Sequence, residues 1–156
     1  MAVATETSVF GDVGDWQAML DRHAPLFSEL VTGAAVGFVP REGSGIQPGK
    51  HVAGLKSAGG SGDMLTWAMD GTAMRAAIRP YSGFQEAGVD LLFVADEGGL
   101  QAMRDAVGGD TLSILKRQIR SGALMFFVMK TKVQLQDAGY EDFLDSLGLA
   151  FLGACR

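Results

Sequence analysis

The chain has 156 residues and a formal net charge of -5, with 47% hydrophobic and 20% charged residues. This length suits one domain with a substantial core, and the composition excludes a chain that is disordered throughout. The acidic balance argues against nucleic-acid binding, which needs clustered positive charge. Because the sequence shows neither a long apolar run nor a secretory signal, we expect a cytoplasmic protein without a membrane span.

Residues 1–156 predict a single domain that opens with a flexible segment, a helix and a strand. We expect residues 1–12 to be flexible. Apolar residues from Trp16 onwards recur at helical spacing, and Pro25 interrupts this pattern because it lacks an amide hydrogen. The stretch AAVGFVP then predicts a strand that ends at Pro40.

A glycine-rich stretch at residues 41–62 matches a phosphate-binding loop only in part. A Walker A loop would need glycine in place of Ser44, and a hydroxyl residue in place of His51 after Gly49-Lys50. Glycine loses more conformational freedom on ordering than any other residue. We therefore predict a flexible loop, acting as the mouth or lid of a binding site, and no nucleotide site.

The clearest local signal is a hairpin. Two apolar runs, at residues 64–69 and 72–78, flank Asp70-Gly71, a dipeptide typical of a two-residue hairpin turn. The stretch VDLLFVA follows, and it is apolar enough to predict a central strand.

Two helices and a strand come next. One helix is expected between Asp96 and Gly108-Gly109, and a second between Asp110 and Gly122, since aspartate favours helix starts and glycine favours helix ends. The stretch ALMFFVMKTKVQL then predicts a strand whose final part alternates and emerges at a sheet edge.

The chain closes on an apolar stripe at helical spacing. Its members are Tyr140, Phe143, Leu144, Leu147 and Phe151. The order of elements as a whole predicts an α+β domain in which helices cover a mainly antiparallel sheet.

The spacing of a catalytic or metal-binding constellation is absent from the sequence. Neither His23 nor His51 stands at ligand spacing from a second donor, and Cys155 is the single cysteine. We therefore predict no catalytic residue, no metal site and no cofactor, a pattern that favours a binding protein over an enzyme. An alternative with Lys50, His51 and Asp63 as a reactive cluster stays open.

Flexible and aromatic apolar side chains are abundant, with eight methionines and nine phenylalanines. Methionine adapts to irregular apolar space, so such residues suit either a packed core or the lining of an apolar ligand site. The predicted ligand-binding residues are Trp67, Met69, Phe93, Met103, Phe126, Met129, Phe143, Leu147 and Phe151.

A basic island interrupts the acidic chain, because no acidic residue occurs between Asp110 and Asp137. Such a run suits a solvated helix face, or a site for an anionic head group or acidic surface. The predicted head-group residues are Lys116, Arg117, Arg120, Lys130 and Lys132.

The order of elements resembles the sterol carrier protein 2-like domain. The similar stretches are AAVGFVP, MLTWAMDGTAMRAAI, VDLLFVADEGGLQAMRDAVGGD and RSGALMFFVMKTKV, with Asp96, Gly108, Gly109 and Gly122 at the helix boundaries. The resemblance implies a sheet of about five strands around an apolar tunnel. It also implies non-catalytic binding or transfer of a lipid, sterol, acyl chain or quinone-like molecule.

We therefore predict a binding module for an apolar small molecule, with membrane-surface contact through the basic island as an option. The alternative is a self-associating structural or adaptor protein, a homo-oligomer that uses a sheet edge and the apolar tail FLDSLGLAFLGACR.

Overall fold

The computed structural model describes residues 7–8, 10–41, 62–83 and 87–148. Apart from its two end residues, the predicted glycine-rich loop lies outside this part of the chain, as do His51, Phe151 and Cys155. The strands are β1 Thr7–Ser8, β2 Gly11–Asp12, β3 Ala35–Pro40, β4 Asp63–Met69, β5 Met74–Pro80, β6 Leu91–Ala95 and β7 Leu124–Val128. The helices are α1 Val13–Arg22, α2 Glu97–Ala106, α3 Thr111–Ser121, α4 Lys132–Ala138 and α5 Glu141–Ser146.

The main sheet has five strands in the order β5-β4-β3-β6-β7, which confirms the predicted α+β class. Three of its pairings are antiparallel, but β3 and β6 run parallel, with Val36 beside Leu91. The sheet is therefore mixed. The parallel pair arises because the chain builds outwards from β3 to β5 and then returns to the other side of β3, so no hairpin joins β3 to β6.

The N-terminal helix predicted from the apolar spacing is present as α1. The Asp12 side chain accepts a hydrogen bond from the amide of Gly14 at 2.9 Å, which caps α1. After Arg22 the chain forms a short 3-10 helix, Ala24–Phe27, with Pro25 in its first turn, so the predicted interruption is confirmed. Just before α1, the short strands β1 and β2 pair with each other, and Phe10 between them is buried.

The hairpin has a longer loop than predicted. Met69 pairs with Met74, so residues 70–73 make the connection and the predicted two-residue turn is wrong. Asp70 explains the difference, because its Oδ1 accepts hydrogen bonds from the amides of Thr72 and Ala73 at 2.8 and 2.9 Å. Its Oδ2 accepts a hydrogen bond from Nε of Arg75 at 2.9 Å. This bond is the main reason that the pKa of Asp70 lies below its ordinary value, and the two amide hydrogen bonds lower it further.

A second correction concerns the end of β7. The strand ends at Val128, and Lys130 and Lys132 do not alternate along it. Instead Thr131 caps α4: its hydroxyl accepts from the amide of Gln134 at 3.1 Å, while the Gln134 side chain accepts from the amide of Thr131 at 2.8 Å. This reciprocal pair is a capping box, and it starts a helix that the sequence pattern did not predict.

Helices α2 and α3 lie between the predicted residues, but only α2 is capped by the side chain of the predicted aspartate. Asp96 caps α2 by accepting from the amide of Gly99 at 2.8 Å. At α3, Asp110 makes no capping bond, and the buried hydroxyl of Thr111 donates to the carbonyl of Ala106 at 2.7 Å instead. Gly122 ends α3 with a φ of 88°, a left-handed conformation that glycine adopts without steric cost.

Candidate apolar ligand site

The sheet has two apolar faces with different coverings. One face packs against the helices, and we call it the helix-covered face; Val36, Leu65, Leu91 and Leu124 belong to it. The other face carries a separate cluster, to which Val39, Met64, Tyr81, Val89, Leu92 and Val94 belong. Successive strand residues point to opposite faces, so both clusters follow from the same strands.

Four aromatic side chains cross the helix-covered face from β4 to β7, and we call them the aromatic row: Trp67, Phe38, Phe93 and Phe126. Neighbouring ring centroids lie 4.6, 4.8 and 5.8 Å apart along this row. The register produces it, because Phe38 stands beside Phe93, which in turn faces Phe126. The Trp67 ring reaches the row diagonally, since Trp67 itself pairs with Val36.

Trp67 lies at the closed end of the aromatic row and is fully buried. Besides Phe38, its ring contacts three aromatic rings of the covering layer, with centroids at 6.0 Å for Trp16, 6.3 Å for Phe27 and 6.1 Å for Phe143. Helix α1, the 3-10 helix and α5 supply these residues. The closed end is therefore lined by aromatic rings.

Phe126 lies at the open end of the row and is only half-buried. It sits on β7, an edge strand of the sheet, against which α3 packs. From α3, Leu112 and Ile119 pack against the same core and are also half-buried. A continuous line of ring contacts thus runs from the buried indole of Trp67 to the partly exposed edge at β7.

Positive charge lies on the helix that packs against β7, because α3 carries three cations of the basic island. Arg117 and Arg120 are exposed, while Lys116 is half-buried and its aliphatic stem lies against Gly148. Lys130 is exposed beyond the end of β7. Lys132 begins α4, and its side chain is not among those described. Four of the five predicted head-group residues thus lie on α3 or near the end of β7.

The structure brings most of the predicted ligand-binding residues together in the core between the helix-covered face and the helices. These are Trp67, Met69, Phe93, Met103, Phe126, Phe143 and Leu147. Met129 instead packs with the cluster on the opposite face, and Phe151 lies outside the described residues. Phe38, which joins Trp67 to Phe93, was missed. The alternation of Val36 and Phe38 in AVGFVP was the signal that could have found it.

A partly buried hydrogen-bond network of Tyr140, Asp90 and Ala35 joins the residue before α5 to the sheet. The Tyr140 hydroxyl lies 2.7 Å from Oδ2 of Asp90 and 3.1 Å from the carbonyl oxygen of Ala35. The same Asp90 oxygen accepts a hydrogen bond from the amide of Ala35 at 3.2 Å. Burial raises the pKa of Tyr140 well above its ordinary value, and the hydrogen bond to Asp90 adds to this rise. These contacts fix α5 and its ring Phe143 over the sheet.

Other kinds of site are scarce in the described part of the chain. Within it, no group of three or more His, Cys, Asp or Glu side chains is arranged to hold a metal ion. None of the helices described there has the length and apolarity needed to cross a membrane. His23 is half-buried at the end of α1.

The fold is that of a small α+β domain, and solved structures with similar folds are known. The chain is similar to sterol carrier protein 2 at 16% identity and TM-score 0.44, covering 93% of this chain and 95% of that one. It is similar to UbiJ-SCP2, a ubiquinone synthesis protein, at 15% identity and TM-score 0.38, covering 92% of each chain. A conserved hypothetical protein of Thermus thermophilus, described as a candidate sterol carrier protein, matches at 16% identity and TM-score 0.43, covering 88% of this chain and 85% of that one.

All three descriptions name the family that the order of elements resembles. At these identities the likeness is one of fold alone and transfers no residue role. No protein-family model matches the sequence, and no curated protein matches it.

Proposed function

We propose that the protein binds an apolar small molecule, such as a lipid, sterol, acyl chain or quinone-like compound, without transforming it. The observation that carries this proposal is the aromatic row, which continues from the fully buried Trp67 to the half-buried Phe126 at a sheet edge. A ligand lying along this row, between the sheet and the helices, would exchange water for aromatic and aliphatic contacts. Each buried methylene group contributes about 0.8 kcal/mol, so an alkyl chain needs few polar contacts to bind.

The charges on α3 set the orientation of an amphiphilic ligand. The α3 cations lie on the helix that packs against β7, the strand of Phe126, whereas the rings that contact Trp67 carry no charge. An anionic head group therefore gains Coulombic attraction at α3 and would be costly to bury beside Trp67. On this basis the head group lies near Lys116 and Arg120, and the tail points towards Trp67.

The direct test is to purify the full chain without detergent and to identify extracted molecules by mass spectrometry. We expect a reproducible set of apolar molecules in proportion to the protein. Binding of added decanoate, followed by equilibrium dialysis, covers the case in which the natural ligand is lost. An empty extract together with no saturable decanoate binding would refute the proposal.

Two adjacent residues of β7 supply a matched pair of variants. Phe126 and Phe127 are both half-buried, but Phe126 belongs to the aromatic row whereas Phe127 packs with the opposite face. We expect Phe126→Ala to weaken decanoate binding about fivefold, as removal of part of a buried aromatic contact predicts. Phe127→Ala should leave it within about twofold. Equal losses in the two variants would show that the row is not the site.

A further inference from the structure

The indole nitrogen of Trp67 is a hydrogen-bond donor that has no acceptor in the described part of the chain. Among the described residues, its Nε1 is the one buried side-chain nitrogen or oxygen atom that has no hydrogen-bond partner. The other tryptophan shows the usual arrangement, since Nε1 of Trp16 donates to the carbonyl of Phe10 at 2.8 Å. Buried polar groups are nearly always paired, because an unpaired donor retains the cost of leaving water.

The aromatic neighbours of Trp67 offer no acceptor oxygen or nitrogen. Phe27, Phe38 and Phe143 contribute only hydrocarbon rings, and the indole of Trp16 is a donor that is already engaged. A phenylalanine at this position would fill apolar space without leaving a donor unpaired. These neighbours therefore offer the Trp67 N–H group no oxygen or nitrogen acceptor, and Trp67 lies at the closed end of the proposed ligand site.

We propose that the N–H group of Trp67 donates a hydrogen bond to an uncharged acceptor oxygen of the bound ligand. This inference rests on the proposed function and narrows it to apolar molecules with a ketone, quinone, ester or ether oxygen set within hydrocarbon. A ligand oxygen in this position accepts the Trp67 N–H hydrogen bond. That bond replaces one that the oxygen loses when the ligand leaves water. A carboxylate does not fit here, because the rings around Trp67 provide no countercharge.

The surrounding rings supply one competing explanation. Phe27 and Phe143 both stand edge to face with Trp67, at interplanar angles of 71° and 70°. If the indole N–H points at the face of one of these rings, a weak N–H to π interaction satisfies it without a ligand. A ligand with an acceptor would then gain nothing from Trp67.

Two matched probes separate these explanations in the full-length chain. The first is methyl nonyl ketone, and the second is the alkene in which a methylene group replaces the ketone oxygen. The chain contains two tryptophans, so labelling indole nitrogen with ¹⁵N gives two N–H signals in a correlation spectrum. Trp16→Phe and Trp67→Phe each remove one signal and so assign the pair.

We expect the ketone to move the Trp67 indole proton downfield, as a new hydrogen bond does, while the alkene leaves it in place. The Trp16 signal should respond to neither probe. In binding measurements, Trp67→Phe should lower the affinity for the ketone about five- to tenfold, as loss of one hydrogen bond predicts. It should change the affinity for the alkene less than about twofold. The spectrum of the unaltered chain keeps the proposal testable where Trp67→Phe fails to fold.

The remaining outcomes distinguish the two proposals. If both probes bind and neither moves the Trp67 proton, the hydrogen bond to ligand is refuted and the binding function stands. An equal loss of ketone and alkene affinity in Trp67→Phe has the same meaning. If neither probe nor decanoate binds saturably, the inference is refuted. If the detergent-free extract is empty as well, the binding function is refuted with it.

Discussion

The Tyr140 hydroxyl donates a hydrogen bond of 2.7 Å to Asp90, although the two residues stand 50 positions apart. The same carboxylate oxygen also accepts a hydrogen bond from the amide of Ala35. The Asp90 side chain, directly before β6, therefore joins Ala35 at the start of β3 to Tyr140 directly before α5. We expect Tyr140→Phe to lower the free energy of unfolding by about 2 kcal/mol, because a buried hydrogen bond to a charged group is lost. Urea unfolding measures this loss, and a change below about 0.5 kcal/mol would contradict it.

The same tyrosine predicts a loss of stability in alkali. Its pKa is raised in the folded state, so the unfolded chain gives up this proton at lower pH than the folded chain does. Above the ordinary tyrosine pKa of about 10, the unfolded state therefore binds fewer protons, and stability falls with a slope of up to about 1.4 kcal/mol per pH unit. Unfolding measured between about pH 9 and 11 should show this slope in the natural chain. In Tyr140→Phe, the fall of the unfolding free energy with pH should be less steep by that amount. Identical slopes in the two proteins would show that Tyr140 is not the cause.

Gln17 provides a stability prediction at β5, the edge strand at the other end of the sheet from β7. Its side-chain amide donates to the carbonyl of Met74 at 3.0 Å and accepts from the amide of Ala76 at 2.8 Å, so it pairs with the outer edge of β5 as another strand would. Gln17→Ala should cost about 2 kcal/mol, since two hydrogen bonds are lost. Gln101→Ala is the matched control, because its contacts are exposed ones within α2, and it should stay within about 0.5 kcal/mol. Similar losses in both variants would contradict the pairing role.

The capping box of α4 predicts a ranking at one position. Thr131→Ala removes the oxygen that accepts the amide of Gln134, and should lower the free energy of unfolding by about 1 kcal/mol. Thr131→Ser keeps that oxygen and should lose less than half as much. Thermal unfolding of the two variants checks the order. A serine variant as unstable as the alanine variant would show that the hydroxyl group is not the cause.

Two glycines with nearly the same φ angle distinguish the cost of backbone strain from the cost of steric crowding around an added Cβ atom. Gly122 and Gly139 have φ values of 88° and 87°, but a Cβ atom at Gly122 would meet open space, whereas one at Gly139 would strike the carbonyl of Glu29. Gly122→Ala should cost about 1 kcal/mol, from the left-handed backbone alone. Gly139→Ala should cost roughly 2 kcal/mol more, because α4 and the chain near Glu29 must move apart. Equal losses would refute the close approach.

Local signals predicted most of the elements, and tertiary context decided the rest. Asp96 and Gly122 mark helix ends because capping depends on neighbouring residues alone. At residues 130–132 two local signals competed, and the alternation of lysines concealed the capping box of Thr131 and Gln134. Nothing local specifies that β3 runs parallel to β6, since strand direction is set by the path of the chain between them.

The candidate site was predictable in its composition more than in its geometry. Side-chain alternation along β7, continued by one residue to Met129, places Phe126 and Met129 on opposite faces. The same alternation is visible in the sequence and predicts a different face for Met129. Phe38 was overlooked because a phenylalanine in a short apolar strand is typical of any core. The unpaired nitrogen of Trp67 could not be predicted, because hydrogen-bond satisfaction depends on which distant residues surround the ring.

The parallel pairing of β3 with β6 has a consequence for assembly. To one side of this junction lie β3, β4 and β5, and to the other lie β6, α2, α3 and β7, so each half of the sheet is built from consecutive stretches of chain. Two separately expressed fragments divided near Ser82 would each retain an uninterrupted set of neighbouring strands. Their reassociation would rebuild the contact between Phe38 and Phe93, which makes fragment complementation a reporter of that junction.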